Sequence, residues 1–126
     1  MNGFDANFDS DLQNILRPQN VTASGTGADT PQTVDMVGKA RAVIFIGALS
    51  AGTTFTAKLE HSEDGSSWSD LPGGAFPPIA TAVSGASIPV DIRAAKKFVR
   101  TAYTATGGTV NLEVCGFMVG NKKRIN

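Results

Sequence analysis

The chain has 126 residues, and its 11 Lys and Arg balance its 11 Asp and Glu, so charged residues make up only 17% of it. That length suits one domain able to bury roughly two-thirds of its unfolded surface. Zero net charge supplies no field toward nucleic acid or an anionic membrane, and a composition rich in Gly, Ala, Thr, Ser and Val favours short strands over helices.

The chain opens with Phe4, Phe8, Leu12, Ile15 and Leu16, spaced as on one face of a helix. Asp9 or Ser10 is available as a cap and Pro18 as a stop, so a short helix is expected over residues 10–17. Asp5, Asp9 and Asp11 would sit near its positive end. Residues 1–18 thus read as an N-terminal arm or helix. Its five large apolar side chains either cover an open end of the following domain or dock on another protein surface.

From residue 19 to residue 120 the pattern is that of strands. A short strand at residues 21–24 is followed by a Gly25-Thr26-Gly27-Ala28-Asp29 turn, then by a second short strand at residues 31–36 with Val34 and Met36 on one face. Gly38-Lys39 then reads as a turn. Residues 42–46 (Ala-Val-Ile-Phe-Ile) are apolar on both parities, which fits a central strand. Residues 53–62 alternate, with Phe55, Ala57 and Leu59 facing one way and Thr54, Thr56, Lys58 and Glu60 the other. The two runs are expected to form a hairpin through residues 47–52. Asp64-Gly65 is a strong tight-turn signal, and Trp68 is expected to bury its ring as it brings in a third strand.

Residues 72–78 (Pro-Gly-Gly-Ala-Phe-Pro-Pro) read as a shaped surface loop, with Phe76, Pro77 and Pro78 as contact candidates. Ile88, Val90 and Ile92 alternate inward around Pro89, whose missing N–H places that strand at an edge. Phe98 to Tyr103 forms a further strand, Gly107-Gly108 a turn, and Val110, Leu112, Val114 and Met118 line one face of the last strand. Residues 121–126 form a basic tail. The expected fold is all-β: an antiparallel two-sheet β-sandwich, with a closed barrel as the structural alternative. Its expected core is Val43, Phe45, Phe55, Leu59, Trp68, Ile88, Val90, Phe98, Val110, Leu112 and Val114.

Few groups are available for chemistry. His61 is the one histidine and Cys115 the one cysteine, so neither a zinc site of usual spacing nor an internal disulfide is expected. His61 reads as a hydrogen-bonded residue at the sandwich margin, and Cys115 as a small buried hydrophobe. The Asp residues near turns form no calcium-loop pattern. No phosphate-binding loop or nucleophile elbow occurs. The expectation is a non-enzymatic protein without catalytic residues, cofactor, metal, small-molecule substrate or nucleic-acid partner. With no apolar run of signal or membrane-span length, it is expected to be soluble, made in the cytosol, and without a membrane contact.

Two resemblances bear on function. Ser62-x-Asp64-Gly65-x-x-Trp68 resembles the turn of carbohydrate-binding β-sandwiches of the discoidin-like kind, where it is mostly structural. More of the chain, about residues 21–120, looks like the small virion structural proteins encoded in the head genes of tailed bacteriophages. The most telling stretches, within residues 54–73 and 96–108, are Lys58 to Gly65 with Trp68, and Phe98-Val99-Arg100 before a Gly turn. That family usually has Glu or Gln where His61 stands. The resemblance implies a jelly-roll-like sandwich that decorates or cements the capsid, binds the major capsid protein and forms a small homo-oligomer, trimer or dimer. It implies a location on the virion surface after assembly in the host cytoplasm. A cement protein needs segments that grasp neighbours, and the candidates are Phe4, Phe8, Leu12, Ile15 and Leu16 in the arm and Phe76, Pro77 and Pro78 in the loop. The rival reading is a carbohydrate-binding module, which requires an exposed aromatic shelf. A third is a scaffold or chaperone absent from finished particles.

Overall fold

A computed structural model describes residues 10–27, 36–107 and 109–122. Its eight strands are β1 (Ser10–Val21), β2 (Gly25–Thr26), β3 (Met36–Leu49), β4 (Thr54–Ser62), β5 (Ser69–Ala75), β6 (Ser84–Asp91), β7 (Phe98–Thr106) and β8 (Leu112–Lys122). Among the described residues a 3-10 turn, Ile92–Ala94, lies between β6 and β7. One antiparallel sheet has the order β1-β8-β3-β6 and the other β2-β7-β4-β5. The pairings are nested: β4 with β5 and β2 with β7 in one sheet, β3 with β6 and β1 with β8 in the other. A long hairpin whose tip is β4–β5, wrapped so that successive pairs alternate between two sheets, is the jelly roll. The expected all-β sandwich is therefore present.

The expected helix over residues 10–17 is absent, and the reason is local. β1 pairs along β8, but its register shifts between Asn14 and Leu16 and again between Leu16 and Gln19. The bulge leaves Ile15 outside the ladder and sends it inward together with Leu16, so both are fully buried. A bulge breaks the two-residue period of a strand, and the resulting spacing of Leu12, Ile15 and Leu16 imitates a helix. Pro18 is accommodated because β1 lies at the sheet edge. Gly116 lies opposite: a Cβ there would come within 3.0 Å of the Val43 carbonyl and 3.3 Å of Ile15.

Other expectations change with the topology. β3 and β4 lie in different sheets, so residues 47–52 carry the chain across the sandwich and close no hairpin. Gly38 is no turn either. It has φ +72 inside β3, where the register with β8 shifts between Val37 and Arg41, a left-handed bulge conformation that glycine adopts at little cost. Gly25–Thr26, read as part of a turn, is the short strand β2. The irregular stretch after Leu71 is partly strand, since β5 runs to Ala75, and its Pro72 is tolerated because β5 is an edge strand. β8 continues to Lys122, into the stretch read as a basic tail. Phe4, Phe8, Val34 and residues 123–126 lie outside the described residues.

The core is built from the inner faces of both sheets. Phe55, Leu59, Ile88, Val90, Leu112 and Val114 are buried as expected, and Met118 is buried as well. On β3 the run was apolar on both parities, and the fold selects Ala42, Ile44 and Ile46 for the core. Val43 and Phe45 face outward, with Phe45 48% exposed. Val99, not Phe98, is buried on β7, while Phe98 and Val110 are only partly covered.

Candidate protein-interaction face

The outer faces of the two sheets differ in chemistry because their strands send different residues out. On β4 and β7 the outward cross-strand pairs are Thr54–Thr106, Thr56–Thr104, Lys58–Ala102 and Glu60–Arg100. Arg100 Nε donates to Glu60 Oε1 at 2.7 Å, and Lys58 pairs with Asp70 of β5 at 2.8 Å. This is a solvated face whose charges are matched within it.

The outer face of the other sheet carries an apolar strip flanked by polar residues. Four successive rungs cross it. Arg41 of β3 stands beside Val119 of β8 and Leu12 of β1, and Val43 stands beside Phe117 and Asn14. Phe45 stands beside Cys115, and Gly47 beside Glu113 and Asn20. The Phe45 and Phe117 rings lie 5.9 Å apart, tilted at 35°. Gly85 of β6 leaves room for Phe45, since a Cβ there would meet that ring at 3.1 Å. Leu12 is 62% exposed. A contiguous exposed apolar patch on a small domain marks an interaction surface.

At the Glu113 end the face deepens into an open groove of about 810 Å³, whose walls include Pro18, Phe45, Val83, Glu113 and Cys115. Val83 stands at its rim, 88% exposed and with φ +53. A β-branched residue in the left-handed region costs on the order of 1–3 kcal/mol. Its N–H donates to the Gly47 carbonyl at 2.9 Å, which ties the rim to β3. Glu113 Oε1 accepts from the Ala48 N–H at 3.2 Å at the same end.

The residues singled out in the sequence are scattered by the fold. Ile15 and Leu16 are sealed in the core and are not offered to a partner, whereas Leu12 is on the apolar face. Phe76 is buried, with its N–H donating to the Ala57 carbonyl, while Pro77 and Pro78 are exposed. Cys115, read as buried, is only partly buried, in the groove wall. The signal for this face was present in Val43, Phe45, Phe117 and Cys115, but a strand that is apolar on both parities does not reveal which side is covered.

Trp68 is half-buried, a correction to its expected place in the core. The Arg100 guanidinium lies 4.4 Å over its ring. The preceding turn is tied by Asp64, which accepts from the Ser66 and Ser67 N–H groups and the Ser62 hydroxyl. These bonds, that of Ser67 foremost, hold the Asp64 pKa down from 3.8 to about 2. His61 is buried, and its Nδ1 accepts from the Lys96 N–H at 3.2 Å. Burial first, then the Lys96 charge, lowers its pKa from 6.5. Among the described residues no group of three or more His, Cys, Asp or Glu could hold a metal ion, and no helix is long and apolar enough to cross a membrane.

No family model matches the chain, and no curated protein sequence matches it. Among solved structures, the SPBc2 prophage-derived protein YomS is similar, with TM-score 0.55 and 14% identity over 89% of this chain and 94% of that one. The VP2 protein of infectious bursal disease virus, in T=1 particles, matches 87% of this chain and 30% of its own length, with TM-score 0.52 and 6% identity. A CBM22-1–GH10 structure of Clostridium thermocellum xylanase 10B with xylohexaose matches 94% of this chain and 25% of that one, with TM-score 0.51 and 12% identity. The chain thus spans less than a third of the latter two. What it shares with all three is the β-sandwich fold, and no specific family is assigned.

Proposed function

We propose that this chain is a non-enzymatic structural protein of a tailed-bacteriophage virion, seated on the capsid as a decoration or cement protein and bound to the major capsid protein. The observation that carries the reading is the contrast between the two outer faces. One is solvated and internally charge-matched, and the other carries an apolar strip with a groove, the chemistry that suits contact with protein. The fold likeness to a prophage-derived protein over nearly the whole of both chains supports the reading, as does the likeness to VP2. With Ile15 and Leu16 committed to the core, the arm's contribution to capsid attachment falls to Phe4 and Phe8, with the exposed Pro77–Pro78 corner as a second contact. The carbohydrate-binding alternative is supported by the xylanase likeness. It is opposed by Trp68, whose ring is already covered on one side by Arg100. Titration of the purified chain onto particles stripped of it tests the proposal. Uptake should saturate at a fixed number of copies, and a chain lacking residues 1–9 should bind poorly. Absence of saturable uptake by the full chain overturns it.

A further inference from the structure

We propose that the apolar outer face of the β1-β8-β3-β6 sheet is occupied by a second copy of this chain, packed face to face about a two-fold axis that lies between the sheets and runs across the strands. The inference rests on the reading of this face as a protein-contact surface, and not on capsid attachment. Three observations single out a second copy. The first is charge. The strip of rungs carries Arg41 at one end and Glu113 at the other, with Val43, Phe117, Phe45 and Cys115 between them. The ends are about 20 Å apart, six residues at about 3.4 Å each. An axis across the strands reverses the order of the rungs, so each Arg41 meets the Glu113 end of its partner copy, twice. An axis along the strands sets Arg41 on Arg41 and Glu113 on Glu113, and like charges exclude it.

The second observation is shape. Leu12, 62% exposed, projects from the Arg41 rung, and the groove of about 810 Å³ lies at the Glu113 end of the same face. The reversal that pairs the charges also places each Leu12 over the other copy's groove, between Pro18 and Phe45. Knob and hollow at opposite ends of one surface are what a closed, isologous dimer requires. The third is extent. Four strands about 4.8 Å apart and about eleven residues long give a face of roughly 700 Å², near the ~800 Å² per partner of a stable interface. Zero net charge leaves no overall repulsion between copies.

Sedimentation of the purified full chain, without particles, tests the proposal. A dimer is expected at micromolar concentration. Phe45→Asp should give a monomer with an unchanged circular dichroism spectrum, and Leu12→Asp should weaken association at least tenfold. Arg41→Glu should also dissociate the dimer, and Arg41→Glu combined with Glu113→Arg should restore it. A monomer at high concentration, a trimer or an open polymer overturns the inference. So does a double charge swap that stays folded by circular dichroism yet fails to re-form the dimer. Dimerisation without particle uptake leaves this inference standing and removes capsid attachment, and the reverse result removes only the dimer.

Discussion

Thr101 Oγ1 donates a 2.9 Å hydrogen bond to the Ile15 carbonyl, from the buried side of β7 to the buried bulge of β1. The two residues are 86 positions apart and belong to different sheets. The bulge takes Ile15 out of the ladder with β8, and the threonine hydroxyl supplies a partner for its carbonyl. Thr101→Val keeps the shape and removes the donor. It should cost about 1–3 kcal/mol, the penalty for an unsatisfied buried carbonyl, read as a lower urea midpoint at unchanged slope. No change in midpoint would mean that β1 docks by apolar packing alone.

Two truncations separate arm from core. Removing residues 1–9 should leave the melting temperature nearly unchanged. Removing residues 1–16 deletes Ile15 and Leu16, whose burial is worth about 1.5–3 kcal/mol each, along with half of an edge strand. Against a typical domain stability of about 5–15 kcal/mol, the longer deletion should unfold the protein or leave it barely folded. Circular dichroism melts decide this.

That contrast shows where the sequence was legible. Alternation was readable in β4 and β6, because each sets polar or small residues between its apolar ones: Phe55, Ala57 and Leu59, then Ile88 and Val90, all lie inside. Pro89 correctly marked β6 as an edge strand. β1 was misread because its bulge replaces a period of two with a helix-like spacing. β3 was ambiguous because both its faces are apolar, and the outward one, with Val43 and Phe45, is the candidate contact surface. The candidate face escaped the sequence because exposed apolar residues on a strand look like core residues.

Trp68 gives a graded prediction. A fully buried tryptophan costs about 3–5 kcal/mol on truncation to alanine. Here the ring is half-buried, with one face under Arg100. Trp68→Ala should therefore cost about 1–2 kcal/mol, combining partial burial with a cation–π contact of ~0.5–2 kcal/mol. Acrylamide should quench its fluorescence partially, and xylo-oligosaccharides should leave it unchanged. A saccharide-induced shift would favour the carbohydrate reading.

Acid should destabilise the fold in two separable steps. His61 has a lowered pKa in the folded state, so the unfolded chain takes the proton first. Its contribution is complete above pH 6.5 and declines as the pH falls below that value. Asp64 is likewise depressed, from 3.8 to about 2, so its contribution is complete above pH 3.8 and lost as the pH falls through about 2. His61→Gln should flatten the upper step of a stability-against-pH profile and Asp64→Asn the lower one. Unfolding midpoints measured across that range for the three proteins check both.

The most direct test of the proposed virion structural role is the protein composition of gradient-purified phage particles released by cells that make this chain. Quantitative mass spectrometry should find the chain in finished particles at a fixed ratio to the major capsid protein, unchanged from one preparation to the next. A chain abundant in infected cells yet missing from the particles, or present only in traces that vary between preparations, would contradict the account.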